Sequence, residues 1–264
     1  MKSDSPSLQA IQRINAVLRV LASHNRTGLR LVDVISASQI DRSTVHRLLQ
    51  SLVTEGLVAQ DQRSKRYFLG MGIFEMAVAI PAQRLRDACL PHLRDLALST
   101  GDTVFLSVRS SYFDGVCIHR EEGSFPIARV LEAGRRRPLC MGSSNLAILS
   151  RLPLGEIQRI CEENYPRIRK SYPGVTERGI KQRLAAAQRD GYVFADVMQR
   201  EQIIKSMAFP ILDRHALPVA SIGLSALVER WTSRRIRQVQ RQMEAAAASI
   251  AHDLDEIKQG SPGL

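Results

Sequence analysis

The stretch Arg42-Ser43-Thr44-Val45-His46-Arg47 puts two guanidinium groups, two hydroxyls and an imidazole into six consecutive positions. Side chains of these types suit phosphates and base edges. An arginine can read guanine or clamp a phosphate, and hydroxyls near a helix start can hold phosphate beside backbone N–H groups. The residues alone do not choose between base and phosphate for Arg42 and Arg47. The competing role for Thr44 is a second capping group, and for His46 a solvated or packing role. A second basic cluster, Arg63, Lys65 and Arg66, follows inside the polar stretch DQRSKR.

Groups suited to catalysis are not assembled in this way. The six His are dispersed, with no H-x-x-x-H pair, and no G-x-S-x-G elbow is present. Cys117 and His119 in GVCIHR suggest a nucleophile and a base, but residues two apart on a strand share a face by geometry alone. The four cysteines are scattered without a C-x-x-C pair, a pattern of reduced thiols in a cytoplasm and of neither a disulfide framework nor a zinc site. The GMG near residue 70 lacks the third glycine and the preceding strand of a nucleotide loop. No cofactor and no enzymatic activity are expected.

The basic residues need elements to carry them. Leu8, Ile11, Ile14, Val17, Leu18 and Leu21 recur at helical spacing and predict a first helix, ended by HNRTG. Leu31, Val34 and Ile35 mark a shorter second helix. Asp41 is a suitable N-cap for a third, with Val45, Leu48, Leu49, Leu52 and Val53 on its apolar face and Gly56 as its stop. LVAQ and RYFLG then flank the polar DQRSK as a hairpin. Three helices and a hairpin in this order predict a winged helix-turn-helix. In such a fold the recognition helix enters the major groove N-terminus first, which explains polar residues at its start and leucines at its end. The wing can lie along the flanking backbone or minor groove.

The whole chain agrees with an anionic partner: its formal net charge is +11, and residues 1–70 hold ten Lys and Arg against five Asp and Glu. At 264 residues, 44% hydrophobic and 24% charged, it reads as an ordinary globular protein of one large domain or of a small one joined to a medium one. No apolar run is long enough for a membrane span, and Asp4 and Arg13 interrupt what a signal peptide would need as its core.

After Gly70 the pattern changes. MGIFEMAVAI predicts an apolar helix broken at Pro81, and QRLRDACLPHLRDLALSTG a second, with Leu85, Cys89, Leu93, Leu96 and Ala97 as either a dimer seam or core. Strands are expected at TVFLSVR, GVCIHRE, IARVLE, YVFAD, IKSMAFPILD and PVASIGLSAL. Helices are expected at SSNLAILSRL, LGEIQRICEEN and TERGIKQRLAAAQRDG, and a long one closes the chain with Ile236, Val239, Met243, Ala247, Ile250 and Leu254 on one face. This mixture predicts an α+β domain on an antiparallel sheet. Arg135, Arg136 and Arg137 are its densest charge cluster and read foremost as solvated surface, with attraction of an anion or pairing with acids as the other roles.

STVHRLLQSLVTEGLV followed by RYFLG, then GRRRPL, GVTERGIKQRLAAAQRDGY and AFPILDRHALPVASIGLSA together resemble the IclR family of bacterial transcriptional regulators over nearly the whole chain. The resemblance implies a winged helix-turn-helix domain (residues 7–70), a linker helix (71–81) and an effector-binding domain of profilin- or GAF-like fold (82–258). It also implies dimers, often paired into tetramers. In the winged helix two positions depart from the family pattern: Gln39 stands where glycine is common, and Ile35 where a small residue is.

For the effector, the resemblance points to Asp196, Ser206, Gly223 and Ser225. The matching positions in relatives bear Asp, Cys and two Ser around a carboxylate-bearing molecule. Gly142, Ser143 and Ser144 stand where relatives carry a small, glycine-rich pocket stretch. Read from the residues themselves, Ser206 and Ser225 lie in apolar strands, where a buried hydroxyl needs a partner that a ligand can supply; bonding to the sheet or to water is the alternative. Asp196 reads equally as a turn former. The expectation is a cytoplasmic regulator that binds a palindromic double-stranded operator as a dimer or tetramer, responds to a small organic acid, and controls a catabolic operon. The alternatives are a regulator whose C-terminal domain only oligomerises, and an enzyme with a DNA-docking module.

Overall fold

The computed structural model describes residues 6–110, 113–127, 131–172, 174–199 and 202–260. It divides into two compact units, Met1–Gln83 and Arg84–Leu264. The first holds helices α1 (Pro6–Ser23), α2 (Leu31–Ser38) and α3 (Arg42–Thr54), strands β1 (Val58–Gln60) and β2 (Tyr67–Leu69), and helix α4 (Met71–Val78). The strands pair antiparallel, Val58 opposite Leu69 and Gln60 opposite Tyr67. Val17, Leu21, Val34, Val45, Leu49, Leu52, Val58 and Tyr67 form the core, drawn from all three helices and both strands. Helical spacing predicts the helical members of this set, but Leu8 and Ile11 on the first turns of α1 and Val53 near the end of α3 remain exposed.

Two turns determine how α3 is presented. Gln39, the residue after α2, adopts left-handed backbone (φ 57°), donates its N–H to Ile35 O and lays its side-chain amide on Ser36 O at 2.6 Å. Glycine takes this conformation without steric cost, so the glutamine is held there by its local bonds. Asp41 then caps α3, accepting from Thr44 N at 2.9 Å and from Ser43 Oγ at 2.7 Å. The stretch 71–81, expected as a linker helix, falls within the first unit, where Gly72 N of α4 donates to Gly56 O. Met71, Phe74, Met76, Val78 and Ile80 are exposed there.

Helix α5 (Pro81–Thr100) begins in the last residues of the first unit and runs into the second, which holds β3 (Thr103–Arg109), β4 (Asp114–Glu121), β5 (Arg136–Pro138), α6 (Ser143–Leu149), α7 (Leu154–Ser171), α8 (Glu177–Asp190), β6 (Val193–Gln199), β7 (Gln202–Leu212), β8 (Pro218–Leu227) and α9 (Ser233–Gly260). The six strands form one antiparallel sheet in the order β5-β4-β3-β8-β7-β6. The expected strand IARVLE is not among them. Ile127 and residues 131–132 are irregular, and residues 128–130 lie outside the described residues. The strand beside β4 is instead Arg136–Pro138, where Val116 pairs with Arg136 and Asp114 with Pro138.

The alternation of each strand divides the sheet into unlike faces. One face carries Val104, Leu106, Met207, Phe209, Ile222 and Leu224 at its centre, with Lys205 and Asp196 on the same side toward the β6 edge. It packs on α5 through Cys89, Leu93 and Leu96 and on α9 through Val239, Met243 and Ile250. The α5 stripe is therefore core. The other face carries small residues at the centre, Ser107, Ser221, Gly223, Ser225, Ser206 and Ala208, and α6 lies against it with all seven of its residues buried. Small side chains let the helix approach the strands, and their short reach leaves space between them. Beyond α6, Ile157, Ile160, Ile168, Ile180 and Leu184 of α7 and α8 complete a second core. At the start of β3 the fully buried Asp102 carboxylate is held by Arg230 Nε at 2.7 Å and Arg235 Nη2 at 2.6 Å, which ties the start of α9 to the sheet.

Candidate DNA-contacting helix and ligand cavity

Arg42, His46 and Arg47 are exposed on α3, leaving their polar groups available to a partner. Ser43 and Thr44 are placed differently from the expectation. The Ser43 hydroxyl and the Thr44 N–H both donate to Asp41, so the cap carboxylate already takes the donors that a phosphate would use. These two bonds, the hydroxyl first, draw the Asp41 pKa down to about 2. In the wing, the turn from Asp61 to Arg66 is closed by Asp61, whose carboxylate accepts from Ser64 N and Oγ at 2.6 Å each. Lys65 stands at its tip with φ 56°, and Arg63 is exposed beside it. Arg66 departs from the expected role: its guanidinium donates to Gly28 O at 2.8 Å and Thr27 O at 3.4 Å, fastening the wing to the loop after α1.

In the second unit a cavity of about 30 Å³ lies between α6, the small-residue face of the sheet and β5. That is room for about one or two water molecules. Ser206 and Ser225, directly opposed on β7 and β8, hydrogen-bond to each other at 2.6 Å. One of their two protons is used in that bond, and the other can reach Leu224 O at 3.4 Å or a ligand atom. Ser143 and Ser144 line the opposite wall, and Ser143 Oγ is buried with no hydrogen-bond partner among the described residues. Gly142 turns the chain into α6 with φ 79°, in the left-handed region that favours glycine.

Two of the expected ligand residues are placed otherwise. Gly223 is not in the cavity wall; a Cβ there would collide with Ser144 Oγ, so the glycine makes room for that hydroxyl. Asp196 is on the opposite face of the sheet. Ala195 is the residue paired with Ser206, whereas Asp196 pairs with Lys205 and forms an exposed ion pair with it at 3.4 Å. A one-residue step along a strand reverses the face, which separates Asp196 from the serines.

The cavity also includes residues that the sequence left as surface or core. Arg135 and Arg137, two apart, both reach it, while Arg136 between them does not. Burial lowers the pKa of Arg137, with Arg135 adding repulsion and Tyr172 opposing. An anion beside these guanidinium groups would relieve both effects. Asn145 donates to the carbonyls of Arg137 (3.3 Å) and Pro138 (3.2 Å) and so fixes β5 against α6. Cys117 lines the cavity too, but its thiol donates to the His119 carbonyl at 3.1 Å and burial pushes its pKa up to about 12. The His119 ring is engaged by Glu121 at 2.9 Å. These two residues therefore do not form a nucleophile–base pair.

A winged helix and an α+β unit with a polar cavity match known protein families in the same order. The family model described as the IclR helix-turn-helix domain matches residues 10–62, and the one described as the bacterial transcriptional regulator IclR C-terminal domain matches residues 77–252. The chain belongs to the IclR family of bacterial transcriptional regulators. Among IclR relatives, the glycerol operon regulatory protein of Streptomyces coelicolor is 31% identical over 229 residues, covering 85% of this chain and 87% of that protein. The regulator KdgR of Escherichia coli is 24% identical, covering 93% and 92% of the two chains. Among solved structures, an IclR homolog from Microbacterium hydrocarbonoxydans complexed with 4-hydroxybenzoate has the same fold. Its TM-score is 0.76 at 22% identity, and the match covers 94% of this chain and 99% of that one. As an IclR-type protein the chain is a DNA-binding transcription regulator and not an enzyme. Among its described residues no helix is long and apolar enough to cross a membrane.

Proposed function

We propose that this IclR-type regulator binds a palindromic operator as a dimer or tetramer in the cytoplasm, and that a small organic acid entering the α6 cavity changes its operator affinity. Residues 7–70 serve as the DNA-binding domain, 71–81 as a linker and 82–258 as the effector-binding domain. α3 enters the major groove with Arg42, His46 and Arg47, and the wing brings Arg63 and Lys65 to the backbone. Ser43, Thr44 and Arg66 position these elements.

The observation that carries the effector reading is the cavity chemistry: the unpartnered Ser143 hydroxyl and the Ser206–Ser225 pair lie beside Arg135 and the desolvated Arg137. Hydroxyl donors and guanidinium groups together suit a carboxylate. The complex of an IclR homolog with 4-hydroxybenzoate, and the description of another relative as an operon regulatory protein, favour an acid of this size and a catabolic operon. Since about 30 Å³ does not admit such a molecule, binding moves the cavity wall outward. A ligand that prefers the opened state couples to DNA affinity by ~1–3 kcal/mol in systems of this type.

Thermal shift against a panel of aliphatic and aromatic carboxylic acids tests this reading. An acid at 100 times its Kd adds about 2.7 kcal/mol and raises the melting temperature. The small cavity also fits a C-terminal domain that only assembles the regulator. Under that reading no acid shifts melting or operator binding, and silence across the panel would sink the effector role.

A further inference from the structure

We propose that Cys140 and Cys161 form a peroxide-oxidisable dithiol that closes to a disulfide beside the α6 cavity. Cys140 lies in the turn from β5 to α6 and Cys161 in the middle of α7, yet their sulfur atoms are 3.6 Å apart, in van der Waals contact. Both are free thiols, buried at 0% and 6% exposure. Among the described residues this is the cysteine pair in sulfur contact, while Cys89 belongs to the α5 face and Cys117 to β4.

The pair is chemically asymmetric. The Cys161 sulfur accepts from the Cys140 thiol at 3.6 Å; that bond first, then the neighbouring Tyr165 hydroxyl and Lys181, lower its pKa against the opposing effects of burial and Glu162. The Cys140 pKa is raised, because its proton is held in the bond to Cys161 and the site is buried. Asn164 Nδ2 also contacts the Cys140 sulfur at 3.9 Å. Cys161 is also the more exposed of the two and accepts the Cys140 thiol proton, which makes it the attacking thiol and Cys140 the resolving one. A space of about 290 Å³ bounded by Tyr165, Ile168, Glu177 and Ile180 opens between α7 and α8 and gives a water-sized oxidant a route to Tyr165.

In the first step the Cys161 thiolate attacks one oxygen of hydrogen peroxide. The O–O bond breaks, sulfenic acid forms, and the departing hydroxide takes up the proton that Cys161 released, giving the first water. Cys140 sulfur then bonds to Cys161 sulfur as the S–O bond breaks, and the Cys140 proton leaves with the hydroxyl as water. Two thiols lose two electrons to one peroxide, giving one disulfide and two waters. Closing to an S–S bond of about 2.05 Å draws the 139–142 turn toward α7. Met141 and Gly142 of that turn line the cavity, so the bridge reshapes the ligand wall. This last consequence rests on the effector reading above, whereas the bridge itself does not.

The test exposes reduced full-length protein to hydrogen peroxide under native conditions. Thiols titrated after denaturation should fall from four to two, and peptide mapping should join Cys140 to Cys161. Four surviving thiols, or a bridge through Cys89 or Cys117, overturn the proposal. In Cys140→Ser, Cys161 should accumulate as a sulfenic acid trapped by dimedone. Should that variant not fold, Tyr165→Phe keeps both thiols and removes one donor to Cys161. Bridging should then slow several-fold, and an unchanged rate overturns the assignment of Cys161 as attacking thiol. A mapped bridge in a protein that no acid stabilises would support the dithiol while removing the effector reading.

Discussion

Arg47 and Arg66 carry the same charge and have different tasks. Arg47 projects from α3, so Arg47→Ala should weaken operator binding by ~1–3 kcal/mol, measured by titration of labelled operator, with an unchanged circular dichroism spectrum. Arg66 is spent on the carbonyls of Thr27 and Gly28, so Arg66→Ala should lower the melting temperature of the winged helix as well as its affinity. In the cavity, Ser225→Leu should fill the space between β8 and α6 and abolish any acid-induced thermal shift while operator binding persists. A retained shift would place the ligand elsewhere. Gly223→Ala should also weaken the acid response, because its Cβ displaces the Ser144 hydroxyl.

At the scale of elements, the α2–α3 turn and the α3 cap hold the recognition helix. Gln39→Gly removes a left-handed non-glycine residue whose conformation costs ~1–2 kcal/mol, offset in part by loss of its bond to Ser36 O. Chemical denaturation should find the variant more stable than the parent. Asp41 supplies a pH dependence of definite sign. Its folded pKa is about 2 against an ordinary 3.8, so folding favours the carboxylate. The stabilisation is fully present above 3.8 and is lost as pH falls to about 2. Asp41→Asn should melt below the parent at pH 7, and the gap should close across that acid window. A gap independent of pH would show that charge is not what the cap supplies.

For the whole molecule, separate cores predict separate behaviour. The core of Met1–Gln83 shares no residue with the cores of Arg84–Leu264. Calorimetry should therefore resolve more than one unfolding transition, and an acid effector should raise the one belonging to the second unit. The formal charge of +11 makes operator binding salt-dependent. Arg63→Ala should reduce the slope of log affinity against log salt by about 1 while leaving sequence preference in place.

The sequence by itself determined the winged helix-turn-helix and the strand-and-helix content of the second unit. Helical spacing, the Asp41 cap and the Gly56 stop act within a few residues, so their meaning does not depend on distant partners. The family was legible too, because its motifs are contiguous. The cavity was not. Alternation says that Ser206 and Lys205 face opposite ways, and so do Ala195 and Asp196, but only strand pairing decides which set meets α6. That pairing joins Ser206 to Ser225 and turns Asp196 away. The same parity splits the arginine run: Arg135 and Arg137 face the cavity, and Arg136 does not. The Cys140–Cys161 contact, the Gly223–Ser144 fit and the anchoring of Arg66 likewise join residues far apart in sequence, which only the packing of helices on the sheet and of wing on loop brings together.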